Sequence, residues 1–388
     1  MRTGKRGQVG RWVTRARIAA LALVVLGAAL VPASASFGAT SSGDRAHNDE
    51  HTGPASPHII IDTDLSLWWD DATALGIANV LDQQGRIRLL GVMSDVRNPV
   101  AVAAINAINT AYGHGRIPIG AVSGTDANTA AHGYSDLVAS KLPHRVRDDH
   151  DVPNAVSLYR RLLARQPDHS VAIVSIGGYT NIAGLLDSSR GDGSRLSGRA
   201  LIAKKVKRLV IMDGIFPGGG PAFTNQLIDL AAASDLVRGN WPTPIAWVDG
   251  LAGVATKVGG NLCTTAPPNH PMRIVYEALF KCGPPGDGDW DAPTLLYAIN
   301  DLPGVFTELG QGGAAVINAQ GGLSWQANST RRDDLYVHVA DQQRLNARID
   351  QLLPLGLDTR CASPDRRGDA RRDHADTDAL RCATSGSR

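Results

Sequence analysis

Short apolar runs alternate with helix-like segments along most of this chain. In chain order, the runs that predict strands are HIIID, IRLLGVMS, IPIGAV, VAIVSIG, RLVIMDG and PIAWVD. Helices are predicted over residues 72–81, 101–112, 155–164, 181–186 and 342–353. Strands that are apolar throughout and separated by helices are typical of a parallel sheet covered on both faces. The pattern therefore predicts an α/β domain over residues 58–357, with a mostly parallel, doubly wound sheet and helices on both faces.

Composition changes at both ends of that domain. Six Arg or Lys residues and no acid precede an apolar run at 18–31, which Ala33-Ser34-Ala35 follows. This order predicts a cleaved secretory signal peptide over residues 1–35 and hence a secreted, extracellular protein. A single membrane anchor is the alternative, but the run is shorter than the ~20 apolar residues of a span. Residues 36–57 are predicted to be a disordered leader and residues 358–388 a charged tail.

Cleavage would change the charge of the protein. The formal net charge is +2, and removing six positive residues without any negative one leaves −4. The mature chain is then mildly acidic, and it shows no basic patch interleaved with aromatic residues. Nucleic-acid binding therefore has little support, and no stable membrane span is expected after cleavage.

The chain has four cysteines: Cys263, Cys282, Cys361 and Cys382. None lies in a C-x-x-C pair, which argues against a zinc site. In an exported chain, four cysteines favour two disulfides. Three pairings exist, and proximity in sequence favours Cys263 with Cys282 and Cys361 with Cys382.

The stretch IIIDTDLSLWWDDATAL places Asp62, Asp64, Asp70 and Asp71 just after the first predicted strand. Asp is a favoured helix N-cap, so capping accounts for one of these carboxylates, or for two with the help of the helix dipole. It does not account for the others. Two unit charges 4 Å apart repel by about 4 kcal/mol at an effective dielectric of 20. The cluster therefore predicts a bound cation, and oxygen ligands favour Ca²⁺ or Mg²⁺.

The stretch DTDLSLWWDDATAL also resembles the multi-aspartate signature of a known family, with a loop two residues longer. Six later segments match motifs of the same family in the same order: LLGVMSDVRN, HGYSDL, IGGYTNIA, VIMDG, AFTNQLID and DWDAPTLLYAI. The resemblance runs roughly from Ile59 to Leu353. The chain is thereby similar to the inosine-uridine preferring nucleoside hydrolases.

The resemblance implies a nucleoside hydrolase-like α/β fold and Ca²⁺-dependent cleavage of the N-glycosidic bond of a small nucleoside-like substrate. The residues that match the metal ligands of the family are Asp64, Asp70, Asp71, Asp291 and, through its backbone carbonyl, Thr180. Asp64 would also accept a proton from the water that attacks C1′ of the ribose. Substrate contacts would come from Asn98, Asn225 and His132. The sequence leaves the oligomeric state open, and a homo-oligomer is compatible with it.

The chain departs from the family pattern on the substrate side of the site. Ser66 stands for a glycine and Trp68 for an aspartate in the first loop. Phe223 stands for the glutamate that would bind the 5′-hydroxyl, Gly220 for an asparagine, and Trp290 for a histidine that protonates the leaving group in some members. The metal half is thus expected to be intact and the 5′-side to be remodelled.

Trp68, Phe223 and Trp290 are accordingly further candidates for substrate binding. An indole stacked on the nucleobase would supply binding without a protonated side chain. The alternative is that the tryptophans pack the core or a loop. For His132 the alternative is a solvated loop histidine.

Two other functions compete with the hydrolase. A non-catalytic protein that binds Ca²⁺ and a ribosyl ligand on the same fold would explain Phe223 and Gly220, but it would not require Asp64 as a base. A haloacid-dehalogenase-type phosphatase could also begin with D-x-D after an apolar strand. That hypothesis lacks a downstream lysine motif and leaves Asp70 and Asp71 without a role.

Overall fold

The computed structural model describes residues 56–66, 68–122, 133–239, 241–329 and 334–357. The predicted signal peptide, nearly all of the leader, the charged tail and His132 lie outside these residues. Strands in the described part are β1 (His58–Thr63), β2 (Arg88–Ser94), β3 (Ile119–Ala121), β4 (Val171–Ser175), β5 (Val206–Met212), β6 (Ile245–Val248), β7 (Phe306–Ile317), β8 (Leu323–Gln326) and β9 (Asp334–Val339).

Helices surround these strands. Those preceding β6 are α1 (Asp70–Gln83), α2 (Pro99–Ala111), α3 (Tyr134–Lys141), α4 (Ala155–Ala164), α5 (Thr180–Asp187), α6 (Gly198–Lys205), α7 (Thr224–Ile228) and α8 (Leu230–Arg238), with a 3₁₀ turn at Asp149–Asp151. Those following it are α9 (Leu251–Ala255), α10 (Leu262–Thr265), α11 (Pro271–Phe280), α12 (Asp291–Ala298) and α13 (Gln342–Leu352).

The strands form one mixed sheet in the order β3-β2-β1-β4-β5-β6-β9-β7-β8. Every pairing from β3 to β9 is parallel, and β7 pairs antiparallel with both β9 and β8. The predicted α/β class with a mostly parallel, doubly wound sheet is therefore confirmed. The six predicted strands are the six that run in sequence from β1 to β6.

Alternate residues of β1 explain why the sheet is covered on both sides. Ile59 and Ile61 belong to one hydrophobic cluster, Ile60 belongs to another, and all three are fully buried. Side chains along a strand point alternately to opposite faces. Burying one such side chain contributes about 1.5–3 kcal/mol. An uninterrupted apolar strand is thus stable only between two layers of helices.

The chain reverses its direction of winding at β1. It first adds β2 and β3 on one side and then crosses over to add β4, β5 and β6 on the other. The neighbouring strand ends of β1 and β4 therefore form a topological switch point, and open α/β sheets bind ligands in the crevice outside such a point. The Asp62–Asp64 segment lies at the carboxyl end of β1.

Sequence patterns missed the C-terminal part of the sheet. β7 contains Gly310, Gly312 and Gly313, and its pairing with β9 shifts between Leu309 and Gly313. Glycine is depleted in strands, so the segment lacks the alternation that signals one. The glycines leave room for a ring: a Cβ on Gly313 would lie 2.3 Å from Nε1 of Trp325. Packing of the hairpin, rather than local propensity, makes this strand.

The Cys263–Cys282 disulfide, the pairing favoured by proximity, is present. Cys361 and Cys382 lie outside the described residues. Within the described residues, no helix is both long enough and apolar enough to cross a bilayer.

Candidate functional site

Two helices that pack on each other both begin with a Trp-Asp pair. α1 starts at Asp70 and α12 at Asp291, and the preceding Trp69 and Trp290 occupy the N-cap positions without a capping side-chain bond. Asp70 and Asp71 are thus in the first turn of α1, and neither is its N-cap. The backbone N–H of Trp290 donates to Oδ2 of Asp70 at 3.1 Å. This bond joins the two helix starts, which lie far apart in sequence.

The joined helix starts bring three carboxylates together. One oxygen from each of Asp70, Asp71 and Asp291 lies within 4.8 Å of the others, and all three residues are buried. Asp64 is outside this mutual group but lies beside Asp71, and it is 1 % exposed. The structure therefore assembles the four predicted aspartates around the end of β1.

The raised pKa values of these carboxyl groups show that their ionised forms are destabilised in the cluster. Burial, reinforced by the charge of Asp70, raises the pKa of Asp64 to about 7, although a bond to Asp71 opposes the shift. Burial also raises the pKa of Asp70 to about 6. For Asp71 and Asp291, burial and the neighbouring carboxylates raise the pKa well above the usual range. Only protons or a cation can neutralise such a cluster.

The donor atoms fit a hard divalent cation. Oδ2 of Asp64, Oδ2 of Asp71 and Oδ1 of Asp291 are buried and accept no hydrogen bond from the described residues. Buried polar oxygens normally have a partner. The set contains only oxygen donors, which Ca²⁺ and Mg²⁺ prefer, and no nitrogen or sulfur donor that would favour zinc. The other oxygen of Asp71 accepts from the hydroxyl of Thr63, which orients this carboxylate.

Two further buried carboxylates, those of Asp62 and Asp95, lie near Asp64. Asp62 accepts from the hydroxyl of Tyr159 at 2.8 Å and from the amide of Asn181 at 3.1 Å. Asp95 follows β2 and is fully buried against Asp62, whose charge together with burial raises the pKa of Asp95 well above the usual range. Sequence analysis did not single out Asp95. The available signal was its place in SDVRN, directly after a predicted strand.

A close backbone approach explains one glycine of the site. A Cβ on Gly177 would lie 2.4 Å from the backbone nitrogen of Asp64 and 2.5 Å from Oδ2 of Asp95. Only glycine allows the turn after β4 to approach the end of β1 this closely. The turn leads into Thr180, the first residue of α5. The Thr180 hydroxyl donates to Asp229 at 3.1 Å.

Ser66 stands where the family motif has a glycine, and its backbone conformation is one that glycine adopts most easily. Its φ is 109°, in a region that disfavours residues with a Cβ. Three contacts hold it: its N–H donates to the Tyr134 hydroxyl, and its Oγ contacts the Ser135 hydroxyl and accepts from Nδ2 of Asn98. Asn98 also caps α2 by accepting from Val100. The structure thus places Asn98 beside the first loop with both ends of its amide bonded to protein.

Asn225 and Phe223 lie at the ends of β4, β5 and β6. Nδ2 of Asn225 donates to the carbonyls of Ile176 and Met212, and the residue is 3 % exposed. Phe223 is the N-cap of α7 and is half-buried. Its ring lies against Gly250, where a Cβ would be 2.4 Å from Cζ of Phe223. An aromatic ring thus occupies the sequence position at which the family pattern has a carboxylate.

The tryptophans at the starts of α1 and α12 lie near one another. The indole N–H of Trp69 donates to the carbonyl of Gly288 at 2.9 Å, and Trp290 packs against the same glycine. Trp69 also lies edge-on to Phe280 at 4.7 Å, so it is largely a packing residue. Trp68 meets Trp69 edge to face at 6.0 Å and is 36 % exposed. Trp68 is thus the most exposed of the three, and Trp69 and Trp290 are both half-buried.

Comparison with known proteins gives a family and a fold. The profile of the family described as "inosine-uridine preferring nucleoside hydrolase" matches residues 59–249. No protein of curated function matches the sequence significantly.

Solved structures resemble the chain over most of its length. A purine-preferring ribonucleoside hydrolase from Gardnerella vaginalis is 17 % identical, with a TM-score of 0.57 over 76 % of this chain and 99 % of that one. An inosine-uridine preferring nucleoside hydrolase from Bacillus anthracis is 15 % identical, with a TM-score of 0.56 over 77 % and 99 %. The type III effector protein XopQ, solved with adenosine diphosphate ribose, is 16 % identical, with a TM-score of 0.58 over 79 % and 96 %.

Proposed function

This chain belongs to the inosine-uridine preferring nucleoside hydrolase family, and from that membership we propose that it is a secreted, Ca²⁺-dependent hydrolase of the N-glycosidic bond of ribonucleosides or related ribosyl compounds. The observation that carries the proposal is the buried group of Asp70, Asp71 and Asp291 with Asp64 beside it, at the switch point of the sheet. Secretion is supported by the basic, apolar and Ala33-Ser34-Ala35 order of the N-terminus.

Asp64, Asp70, Asp71 and Asp291 would hold the cation, together with the carbonyl of Thr180. When bound, a divalent cation acidifies water and provides a positive centre for a ribose diol. Asp64 accepts the proton of the attacking water as the general base of the site. The carboxylates also stabilise the positive charge that develops at C1′ as the glycosidic bond breaks.

Asn225 is suited to hold a sugar hydroxyl. Its amide nitrogen is bonded to two backbone carbonyls, which fixes the side chain. Recognition of the sugar would therefore use the amide oxygen as an acceptor. A fixed acceptor costs little ordering entropy when the substrate binds.

The test is release of free base from a panel of ribonucleosides, with and without a chelator of divalent cations. We expect hydrolysis with Ca²⁺ and its loss in the chelator, with recovery after Ca²⁺ is added back. A control with the chelator already saturated by Ca²⁺ excludes a direct effect of the chelator. Hydrolysis that continues undiminished in the chelator would contradict the metal dependence.

A non-catalytic binding protein is the second candidate. Phe223 and Gly220 favour it because they alter the substrate side and leave the carboxylates in place. XopQ, which shares the fold, was solved with adenosine diphosphate ribose. Calorimetry separates the two: Ca²⁺-dependent binding of a ribosyl ligand, with no release of base over hours, would support the binding protein.

Substrate choice should follow from Phe223. A hydrogen bond to a charged group contributes about 1.5–3 kcal/mol, so replacing a glutamate with Phe223 should reduce discrimination against 5′-deoxyribonucleosides roughly ten- to a hundredfold. A 2′-deoxy substrate should be rejected strongly because it lacks half of the metal-binding diol. The measurement is kcat/KM for a ribonucleoside, its 2′-deoxy form and its 5′-deoxy form.

A matched pair of variants checks the role of this position. Phe223→Glu should increase preference for the 5′-hydroxyl, whereas Phe223→Leu should leave it unchanged. If the 5′-deoxy compound is a poorer substrate than the 2′-deoxy compound, the assignment of Phe223 to the 5′-side is wrong.

A further inference from the structure

We propose that Tyr179 and Asp213 form a buried hydrogen-bonded pair that positions the turn between β4 and α5, and through this turn Asp64 and Thr180, for the cation. Both are positioning residues, because they act through the turn and not on the substrate. The inference rests on the proposed function, since it assigns two further residues to the support of that metal site. Three features carry it: the place of the turn, the few side chains that restrain it, and the bonds of the pair.

The turn, residues 176–179, lies against the segment that carries Asp64. A Cβ on Gly177 would be 2.4 Å from the backbone nitrogen of Asp64 and 2.7 Å from the carbonyl carbon of Thr63. Thr180 follows the turn directly, as the first residue of α5. Because not even a methyl group fits between the two backbones, a displacement of the turn has to move Thr180, Asp64 or both.

The turn has little side-chain anchoring of its own. Gly177 and Gly178 have no side chain, and glycine has more backbone freedom than any other residue. Tyr179 occupies the N-cap position of α5 and makes no side-chain cap bond there, so its side chain is directed elsewhere. It is the only residue of 177–179 that can anchor the turn through a side chain.

Different side chains hold the two ends of the turn. At its start, Nδ2 of Asn225 donates to the carbonyls of Ile176 and Met212, which ties Ile176 to the end of β5. At its end, the buried Tyr179 belongs to the hydrophobic cluster between β4 and β5, and its hydroxyl donates to Oδ2 of Asp213, directly after β5. Both ends of the turn are thus joined to β5, with the two glycines between them.

The carboxyl group of Asp213 depends on this tyrosine. Asp213 is fully buried, and burial raises its pKa to about 7, although the bonds from Tyr179 and Gly214 oppose the shift. The backbone N–H of Gly214 donates to Oδ1 at 2.6 Å, and among the described residues only Tyr179 donates to Oδ2. A buried oxygen without a partner is unfavourable. The hydroxyl and the carboxyl group therefore hold each other in place.

The experiment measures ion binding in Tyr179→Phe, which removes the hydroxyl and keeps the ring. We expect calorimetric Ca²⁺ affinity to fall roughly 10- to 100-fold, the usual cost of removing a group that orients a metal ligand. Tb³⁺ replaces Ca²⁺ at sites built of oxygen ligands, and its luminescence lifetimes in H₂O and D₂O count the water molecules bound to the ion. We expect about one additional water in the variant, because water fills a position that a displaced protein oxygen leaves.

Thr243→Val is the matched control. The indole N–H of Trp241 donates to the Thr243 hydroxyl at 2.9 Å, and Trp241 belongs to the same hydrophobic cluster as Tyr179. Thr243 precedes β6, so this bond lies at the opposite edge of the sheet from the carboxylates. The control variant also loses one buried hydrogen bond. It should lower the melting temperature and leave Ca²⁺ affinity and the water count unchanged.

A double variant tests whether the two residues act as a unit. Asp213→Ala should weaken Ca²⁺ binding as Tyr179→Phe does. Tyr179→Phe combined with Asp213→Ala should then lose no more affinity than the weaker-binding single variant, because both changes remove the same interaction. A loss equal to the product of the two single losses would contradict the pair. If Asp213→Ala does not fold, the comparison of Tyr179→Phe with Thr243→Val decides alone.

The outcomes distinguish this inference from the proposed function. If Tyr179→Phe lowers the melting temperature but binds Ca²⁺ and Tb³⁺ like the unaltered protein, the pair is only structural and the inference is wrong. If Thr243→Val loses as much affinity as Tyr179→Phe, the effect reflects stability in general, and the inference is again wrong. If the unaltered protein binds neither ion, the proposed Ca²⁺ dependence fails, and the inference fails with it.

Discussion

Asp64→Asn is expected to lower kcat by roughly 10²–10⁴-fold, the usual contribution of a positioned general base. Asn keeps an oxygen that can face the cation but cannot accept a proton from water. Asp64 is buried, and Oδ2 accepts no hydrogen bond from the described residues, so the variant removes a charge without breaking a bond at that atom. The measurement is kcat at saturating substrate and at Ca²⁺ concentrations that saturate the variant.

Calcium affinity must be measured in the same variant, because Asp64 is also a candidate ligand. A loss of kcat that persists when Ca²⁺ is saturating assigns the proton transfer to Asp64. Full recovery of kcat at high Ca²⁺ would show that Asp64 only binds the ion. Asp192→Asn is the matched control, since Asp192 is an exposed carboxylate that pairs with surface residues.

Removing Ca²⁺ is expected to lower the melting temperature by about 5–10 °C. A ligand at 100 times its dissociation constant stabilises the folded state by about 2.7 kcal/mol, and each kcal/mol shifts the midpoint of a domain of this size by about 2–4 °C. The physical reason is the cluster itself: Asp70, Asp71 and Asp291 are buried within 4.8 Å of one another and repel when ionised. Thermal unfolding with and without chelator measures the shift.

Asp70→Asn tests whether this cluster is the site responsible. It removes one charge, so the metal-free protein should become more stable, while calorimetric Ca²⁺ affinity should fall at least about tenfold. The Ca²⁺-dependent shift in melting temperature should shrink accordingly. The same shift and affinity in Asp70→Asn as in the unaltered protein would place the ion elsewhere. Asp192→Asn should leave both quantities unchanged.

Much of the sheet could be predicted because its strands carry a local signal. The runs from HIIID to PIAWVD are continuous and apolar, and each became one strand from β1 to β6. Burial on both faces requires such runs wherever two helical layers cover a sheet. β7 and β9 carry no such signal, and both lie toward the edge of the sheet. β7 is interrupted by glycines, and both strands are partly exposed. Each is stabilised by its antiparallel pairing with the other.

Helix boundaries, like the strands, are predicted by local sequence only where no long-range contact sets them. The predicted helix at 72–81 begins two residues earlier, at Asp70, because Trp69 rather than an aspartate occupies the N-cap position. The indole of Trp69 is held by Gly288, a residue from a distant part of the chain. The preference for Asp at the N-cap is a property of the local sequence, so it could not predict this long-range contact.

The sequence by itself determined that a doubly wound sheet would carry a concentration of carboxylates at the end of its first strand, because apolar periodicity and residue type are local properties. Family resemblance added Asp291 from far along the chain. Only the tertiary structure decided that Asp70, Asp71 and Asp291 share one buried space and that Asp95 is buried against Asp62. It also decided that Trp69 packs on Phe280 while Trp68 is 36 % exposed. These outcomes depend on how α1 packs against α12 and β1 against β2 and β4, and the free energy of such packing comes from contacts between segments that are remote in sequence.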